Sequence, residues 1–468
     1  MKYVSTRGEA PVLGFDDVVL AGLARDGGLY VPQTWPQLSR ETIAGFAGRS
    51  FADVAVEVLL PFVGETISRT DLTRMAHAAY ASFGHPAVTP LVQIGPNRFV
   101  LELFHGPTLA FKDVAMQLLA RMMDHVLATR GQTATIVGAT SGDTGGAAIE
   151  AFRASKRTDV FILFPDGRVS DVQRRMMTTP TEAHIHALSI QGTFDDAQAR
   201  VKDMFNHLAF RDRVQLSGVN SINWARIAAQ VTYYFVAAVA LGAPYRKVSF
   251  AVPTGNFGDI FAGFVAKKIG LPIDRLTIAT NANDILARTV ASGVYETRGV
   301  VATSSPSMDI QVSSNFERAL FEASGRDASR IRTMMGQLKQ SGRFELGETK
   351  AVIAREFDSG AASEGAVADT IRQVEAECGY VLDPHTACAV AALDRRPRNH
   401  ASPEVILATA HPAKFPDAMG EITGRRPALP QRLASLMTTP ERMTHLANDQ
   451  TVLERHIAAN ARAVSVSR

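Results

Sequence analysis

The chain has 468 residues, 46% of them apolar and 20% charged, with a formal net charge of +3. That length allows roughly two or three domains around a large core, and the balance is that of a globular protein rather than a disordered or fibrous one. Basic residues are scattered, as Lys156-Arg157, Arg174-Arg175 and Arg395-Arg396 with Arg398, and no basic stripe interleaved with aromatics occurs; nucleic acid is not an expected partner. Two cysteines, Cys378 and Cys388, lack metal-ligand spacing, which fits a reducing compartment and no metal. The first residues lack the apolar run of a signal peptide. The longest apolar stretch, Tyr233 to Leu241, is too short to span a bilayer. These features predict a cytoplasmic protein with no membrane partner.

In chain order, the first ninety or so residues read as mostly helical. Asp26-Gly27-Gly28 is a turn signal, and Ser39 to Phe46 and Phe51 to Phe62 carry apolar residues at helical spacing. From about Phe99 the texture becomes α/β. Continuous apolar runs occur at Thr135–Ala139, Val160–Pro165, Ala183–Ile190, Lys247–Pro253, Leu276–Thr280 and Val405–Thr409, with helical patterns between them, such as Asp195 to Leu208. Such strands indicate parallel sheet covered on both faces, with ligands at the carboxyl ends of the strands. Ala302 to Pro306 reads as a loop, and the chain from about Pro427 reads as an appended helical extension. The expected division is a helical domain over 1–95, a smaller α/β domain over 96–230 and a larger α/β domain over 231–468.

Phe104-His105-Gly106-Pro107-Thr108-Leu109-Ala110-Phe111-Lys112-Asp113 places one lysine in an apolar turn ahead of a predicted helix over Val114 to Thr129. Desolvation among Leu109, Ala110 and Phe111 disfavours the ammonium and frees the amine as a nucleophile near neutral pH. The competing reading is a snorkelling surface lysine at a helix start. Two glycine-rich loops favour the first reading. Gly138-Ala139-Thr140-Ser141-Gly142-Asp143-Thr144-Gly145-Gly146 follows a strand and is expected to open a helix near Ala147. Its glycines, hydroxyls and helix N-terminus suit a carboxylate or phosphate, although a plain capped turn has the same pattern. It is neither a P-loop nor a dinucleotide fingerprint. Pro253-Thr254-Gly255-Asn256-Phe257-Gly258-Asp259 repeats the arrangement. Two anion loops and a desolvated lysine suit a ligand with two anionic ends and a carbonyl between them. Thr409 ends another strand; His385 and His411 read as capping or core residues.

These segments, in this order, resemble the threonine synthase family: His105-Gly106-Pro107-Thr108 to Phe111-Lys112-Asp113, Ala139 to Gly145, Gly255 to Asp259, and Thr409-Ala410-His411-Pro412-Ala413-Lys414-Phe415. Asp26 to Pro32, Ser307-Met308-Asp309-Ile310 and Asp383-Pro384-His385-Thr386-Ala387 match as well, so the likeness covers nearly the whole chain. The Leu-Ala-Phe-Lys-Asp variant is similar to the subgroup of many bacteria and fungi. The resemblance implies a pyridoxal-phosphate enzyme of the tryptophan-synthase-like fold (fold type II). It implies that Lys112 forms the Schiff base, that Gly255, Asn256, Phe257, Gly258 and Asp259 hold the cofactor phosphate, and that Thr409 meets the pyridine nitrogen. Thr140, Ser141, Gly142, Asp143 and Thr144 would bind the substrate carboxylate. The implied reaction turns O-phospho-L-homoserine and water into L-threonine and phosphate, in a monomer or homodimer. Lys414, Arg168 and Arg226 are candidate cations for the substrate phosphate, each also readable as structural or surface. Another fold type II activity, such as a phospholyase or dehydratase, and a non-catalytic binding protein remain as alternatives.

Overall fold

A computed structural model describes residues 1–395 and 401–465; Arg396 and Arg398 lie outside the described residues. The apolar runs form strands buried on both faces. Thr158–Pro165 and Val248–Pro253 are buried at every position, as expected for parallel strands sandwiched between helices. They organise two sheets. The first has five strands, in the order Thr444–Leu446, Ile185–Ile190, Thr158–Pro165, Ala134–Ala139 and Leu216–Ser217, all parallel. The second has six, in the order Phe357–Ala361, Ile273–Thr280, Val248–Pro253, Glu404–Ala408, Arg98–Glu102 and Leu91–Gly95. Its strands are parallel except for the last pair, an antiparallel hairpin whose turn places Asn97 at φ 57°, a conformation asparagine tolerates better than most residues.

The sheets interleave segments distant in sequence. Strand Arg98–Glu102, expected with the lysine's domain, pairs instead with Glu404–Ala408 of the six-stranded sheet. The chain after 427 also differs from a purely helical extension. It includes strand Thr444–Leu446 on the five-stranded sheet, and helix Gln450–Asn460 buries Leu453 and Ile457 in the same cluster as Phe161 and Leu188. A three-residue strand carries too little periodicity to be legible on its own.

The N-terminal part packs helices Phe51–Val63 and Arg69–Tyr80 against the rest. Ser50 and Ser68 cap them, each accepting a hydrogen bond from the third residue of its helix. The helix Trp224–Ala240 lies against Phe51–Val63, against Lys112–Arg130 and against Gly258–Lys268. That position explains the apolar stretch at Tyr233: nearly the whole helix is core. No helix among the described residues is long and apolar enough to cross a membrane.

Arg318, fully buried, ties these parts together. Its guanidinium donates to the carbonyl of Tyr30 at 2.9 and 3.1 Å, to the carbonyl of Ile222 at 2.7 Å and to Asn315 Oδ1. It also faces the Trp224 ring at 5.8 Å. Burial draws its pKa down to about 9, but its planar fork satisfies carbonyls from three parts of the chain. Arg318→Met leaves those acceptors unpaired, and a loss of about 3 kcal/mol is expected. A clear fall in the thermal midpoint should follow, only partly restored in Arg318→Lys. An unchanged midpoint in Arg318→Met would show that the guanidinium does not hold the N-terminal part in place.

Candidate active site

The lysine motif runs from the end of strand Arg98–Glu102 into helix Lys112–Arg130, which begins two residues earlier than expected. Backbone pairing fixes it against the segment after strand Glu404–Ala408. Phe111 N–H donates to Thr409 O at 2.8 Å and His411 N–H to Leu109 O at 3.0 Å. Leu109 is fully buried at φ 59°, a costly conformation for a leucine that only surrounding structure can enforce. Asp113 braces the turn, accepting from Thr108 N–H at 2.7 Å and from Thr108 Oγ1 at 2.6 Å. A side chain at Gly106 would lie 2.4 Å from Asp113 Cβ, so only glycine fits there.

Lys112 does not snorkel. The residue is 9% exposed, and its Nζ lies 3.3 Å from Asp143 Oδ2 and 3.5 Å from Ser307 Oγ. Asp143, 4% exposed, is surrounded by donors. Its Oδ1 takes Lys414 Nζ at 2.6 Å and Gln173 Nε2 at 3.0 Å, and its Oδ2 takes Ser307 Oγ at 3.1 Å beside Lys112. Burial alone would raise the carboxyl's pKa, but the Lys414 and Lys112 ammoniums, with His385 behind them, hold it well below the usual range. Burial lowers the Lys112 pKa; Asp143 opposes that shift, while Lys414 and Arg226 add to it.

Helix Asp143–Phe152 starts four residues earlier than the glycine pattern suggests. Gly145 lies inside it because a Cβ there would sit 2.5 Å from Thr140 Cγ2 and 2.8 Å from Ile162 Cγ2. Thr140 Oγ1 accepts from the N–H groups of Gly142 and Gly145, both at 2.9 Å, and so shapes the loop. The N–H groups of Ser141, Asp143 and Thr144, and the hydroxyls of Ser141 and Thr144, have no hydrogen-bond partner among the described residues. Asp143 therefore offers an anion its N–H only; its side chain belongs to the lysines.

The second loop follows strand Val248–Pro253 and opens helix Gly258–Lys268. Its carbonyls are taken up by neighbouring side chains and backbone: Ser313 Oγ donates to Gly255 O at 2.6 Å, and Asn315 donates to Asn256 O through Nδ2 at 2.8 Å and N–H at 3.1 Å. Phe257 sits at φ 63°, buried between Phe316 and Phe357. The N–H groups from Gly255 to Asp259 have no acceptor among the described residues. The Asp259 side chain turns the other way, accepting from Tyr233 at 2.5 Å and Tyr234 at 3.0 Å. Burial lifts its pKa to about 7 despite those bonds. The Thr409 hydroxyl, in a residue 6% exposed, has no hydrogen-bond partner among the described residues.

Of the three candidate cations, Arg168 is exposed. Arg226 is buried, donating to Val219 O at 3.1 Å, with its Nε unpaired and its pKa drawn down to about 10 by burial. Lys414 is 1% exposed and paired. His411 caps the turn Pro412–Lys414. His385 is buried, with Nδ1 toward Asp383 at 3.0 Å and Nε2 accepting from Ser307 N–H at 3.3 Å; it supports the Ser307 loop rather than standing apart as core. Ser307 and Gln173 were absent from the expected site. Ser307 stood in a matched motif, but Gln173 sits at the third position of an ordinary capping box and carried no signal of its own.

Among known proteins, residues 2–80 match the threonine synthase N terminus, 83–410 the pyridoxal-phosphate dependent enzyme family and 386–457 the threonine synthase C-terminal family. Threonine synthase of Pseudomonas aeruginosa is 49% identical over 98% of both chains. The crystal structure of PLP-bound threonine synthase from Brucella melitensis is 60% identical, with a TM-score of 0.96 over 99% of this chain and 100% of that one. Yeast threonine synthase is 38% identical, with a TM-score of 0.93 over 99% of both. The fold is that of the fold type II pyridoxal-phosphate enzymes. On these matches the chain belongs to the threonine synthase family, and its cofactor is pyridoxal phosphate.

Proposed function

We propose that this enzyme converts O-phospho-L-homoserine and water to L-threonine and phosphate, with Lys112 as its reactive amine. The observation that carries the reading is a buried lysine lying with two strand-to-helix loops that each keep several N–H groups without a partner among the described residues. Three features fit a phosphorylated aldehyde. The Gly255–Asp259 amides are free donors at the positive end of an 11-residue helix. A Cβ on Gly255 would lie 2.7 Å from the Ser307 carbonyl oxygen, so the loop keeps a close backbone approach. A neutral Thr409 hydroxyl at the ring nitrogen would leave that nitrogen less firmly protonated than a carboxylate would.

When bound, the cofactor supplies an aldehyde carbon for Lys112 and an electron sink that acidifies the substrate's α- and β-protons. The residues around it do the rest. The amides and hydroxyls of Ser141 and Thr144 would orient the substrate carboxylate. Lys112 Nζ would take protons from the α- and β-carbons and return protons at the γ-carbon, which phosphate has left, and at the α-carbon, and the leaving phosphate is a further base. Water then adds at the β-carbon. The two cysteines, one exposed and one buried, are both free, in keeping with a cytoplasmic setting, and the proposed partner is a small molecule acting on a monomer or homodimer.

Incubating the holoenzyme with O-phosphohomoserine should release phosphate and threonine in equal amounts. Phosphate without threonine would indicate a simple lyase. Lys112→Ala should lose both the cofactor's bound absorbance and turnover, and unchanged absorbance would remove the lysine from its assigned role. Gly255→Ala should weaken cofactor affinity by about tenfold or more, equivalent to ~1.4 kcal/mol, as the Ser307 carbonyl is pushed aside; wild-type affinity would put the phosphate elsewhere.

Asp259 gives a pH test of the same loop. Its folded pKa, about 7, lies above the ordinary 3.8. As pH rises through that window the unfolded chain releases the proton first, so the group costs stability between about pH 4 and 7 and its penalty is complete above. Asp259→Asn keeps an acceptor for the tyrosines without the charge. Its thermal midpoint should exceed that of wild type increasingly from pH 5 to 8. Parallel profiles for the two proteins would show that the carboxyl ionises without penalty.

A further inference from the structure

Two ammoniums share one carboxylate in this site, and they share it unequally. Lys414 is 1% exposed, lies 2.6 Å from Asp143 Oδ1 and donates also to Thr108 O at 2.8 Å. Lys112 is 9% exposed, and its contact with Asp143 Oδ2 is 3.3 Å. A buried cluster of two cations and one anion carries an uncompensated positive charge, which is relieved when one lysine gives up its proton. The shorter contact and the second acceptor hold the proton on Lys414 against its deeper burial, so the relief falls to Lys112.

We propose that Lys414 is a positioning residue that takes up the Asp143 carboxylate and thereby leaves the Lys112 amine free to attack an aldehyde carbon. The assignment rests on the reading of Lys112 as the reactive amine. The charged and titratable groups facing the pair come from several elements. Asp143 lies on helix Asp143–Phe152, Arg226 on helix Trp224–Ala240 and Asp259 on helix Gly258–Lys268. Asp113 faces Lys414, and His385 faces Asp143. Of these, Arg226 acts in the same direction as Lys414, and burial is the largest influence on Lys112. Lys414 differs from Arg226 in also occupying the carboxylate that would otherwise stabilise the Lys112 ammonium.

The test measures the Lys112 amine directly, in the full-length chain stripped of cofactor. Cyanate carbamylates only unprotonated amines, and mass spectrometry of the Lys112 peptide gives the rate against pH. In Lys414→Met, the pH midpoint for Lys112 should rise by about one unit or more, which is about a tenfold slower reaction at pH 7. Lys414→Arg, which keeps the charge, should stay with wild type. An unchanged midpoint in Lys414→Met, or a shift in Lys414→Arg as large as that in Lys414→Met, overturns the proposal. Should Lys414→Met not fold, the wild-type chain still decides. Lys112 must react near neutral pH while Lys414 does not, and the reverse order refutes the assignment. The readout does not depend on product. A chain that makes no threonine sinks the functional reading alone, whereas a fixed midpoint in a threonine-producing chain sinks only the role of Lys414.

Discussion

The Asp143 carboxylate lodged between Lys112 and Lys414 is the interaction on which the site depends. It joins both sheets at the carboxyl ends of their strands. Asp143 opens the helix after strand Ala134–Ala139 of the five-stranded sheet, and Lys414 follows strand Glu404–Ala408 of the six-stranded one. Lys112 begins the helix after Arg98–Glu102, a neighbour of Glu404–Ala408. Removing the carboxylate would leave the buried Lys414 ammonium without its counter-charge, a far larger penalty than the loss of a surface ion pair. The same four-donor shell, completed by Gln173 and Ser307, fixes where the lysine amine can be.

Around that centre the backbone is arranged to leave donors free. In the Gly255–Asp259 loop, Ser313 and Asn315 claim the carbonyls of Gly255 and Asn256, and the amides have no acceptor among the described residues. In the Thr140–Thr144 loop a single hydroxyl gathers two amides, and three others have no partner among the described residues. Both loops carry an aspartate, whose charge would repel an anion. One is neutralised by lysines, and the other is turned onto two tyrosines and pushed toward its neutral form. The two loops thus keep N–H donors while their acids are held by lysines and by tyrosines.

Much of the architecture was legible because doubly covered strands are runs of apolar residues, and the strand-to-helix glycine loops mark their carboxyl ends. Motif order singles out Lys112, the two loops and Thr409, and the fold buries Lys112 beside Asp143 of the first loop. Three things were hidden, each for a physical reason. Glycine reads as loop, so the early start of helix Asp143–Phe152 was missed, although Gly145 is there for close packing against Ile162. Strand pairing is a long-range choice, so nothing local assigns Arg98–Glu102 to one sheet over the other. Buried charge is also invisible in sequence. Lys414, Arg226 and Arg318 look like surface residues until the fold supplies their partners, and Gln173 gains a role only because its helix stands opposite Asp143.

The proposed division of charge leaves the ammonium on Lys414 and a neutral amine on Lys112. Neutron diffraction from crystals of the deuterium-exchanged, cofactor-free chain at neutral pD would observe it at both nitrogens. Three deuterons are expected on Lys414 Nζ and two on Lys112 Nζ. Three deuterons on Lys112, with Lys414 carrying two, would contradict it.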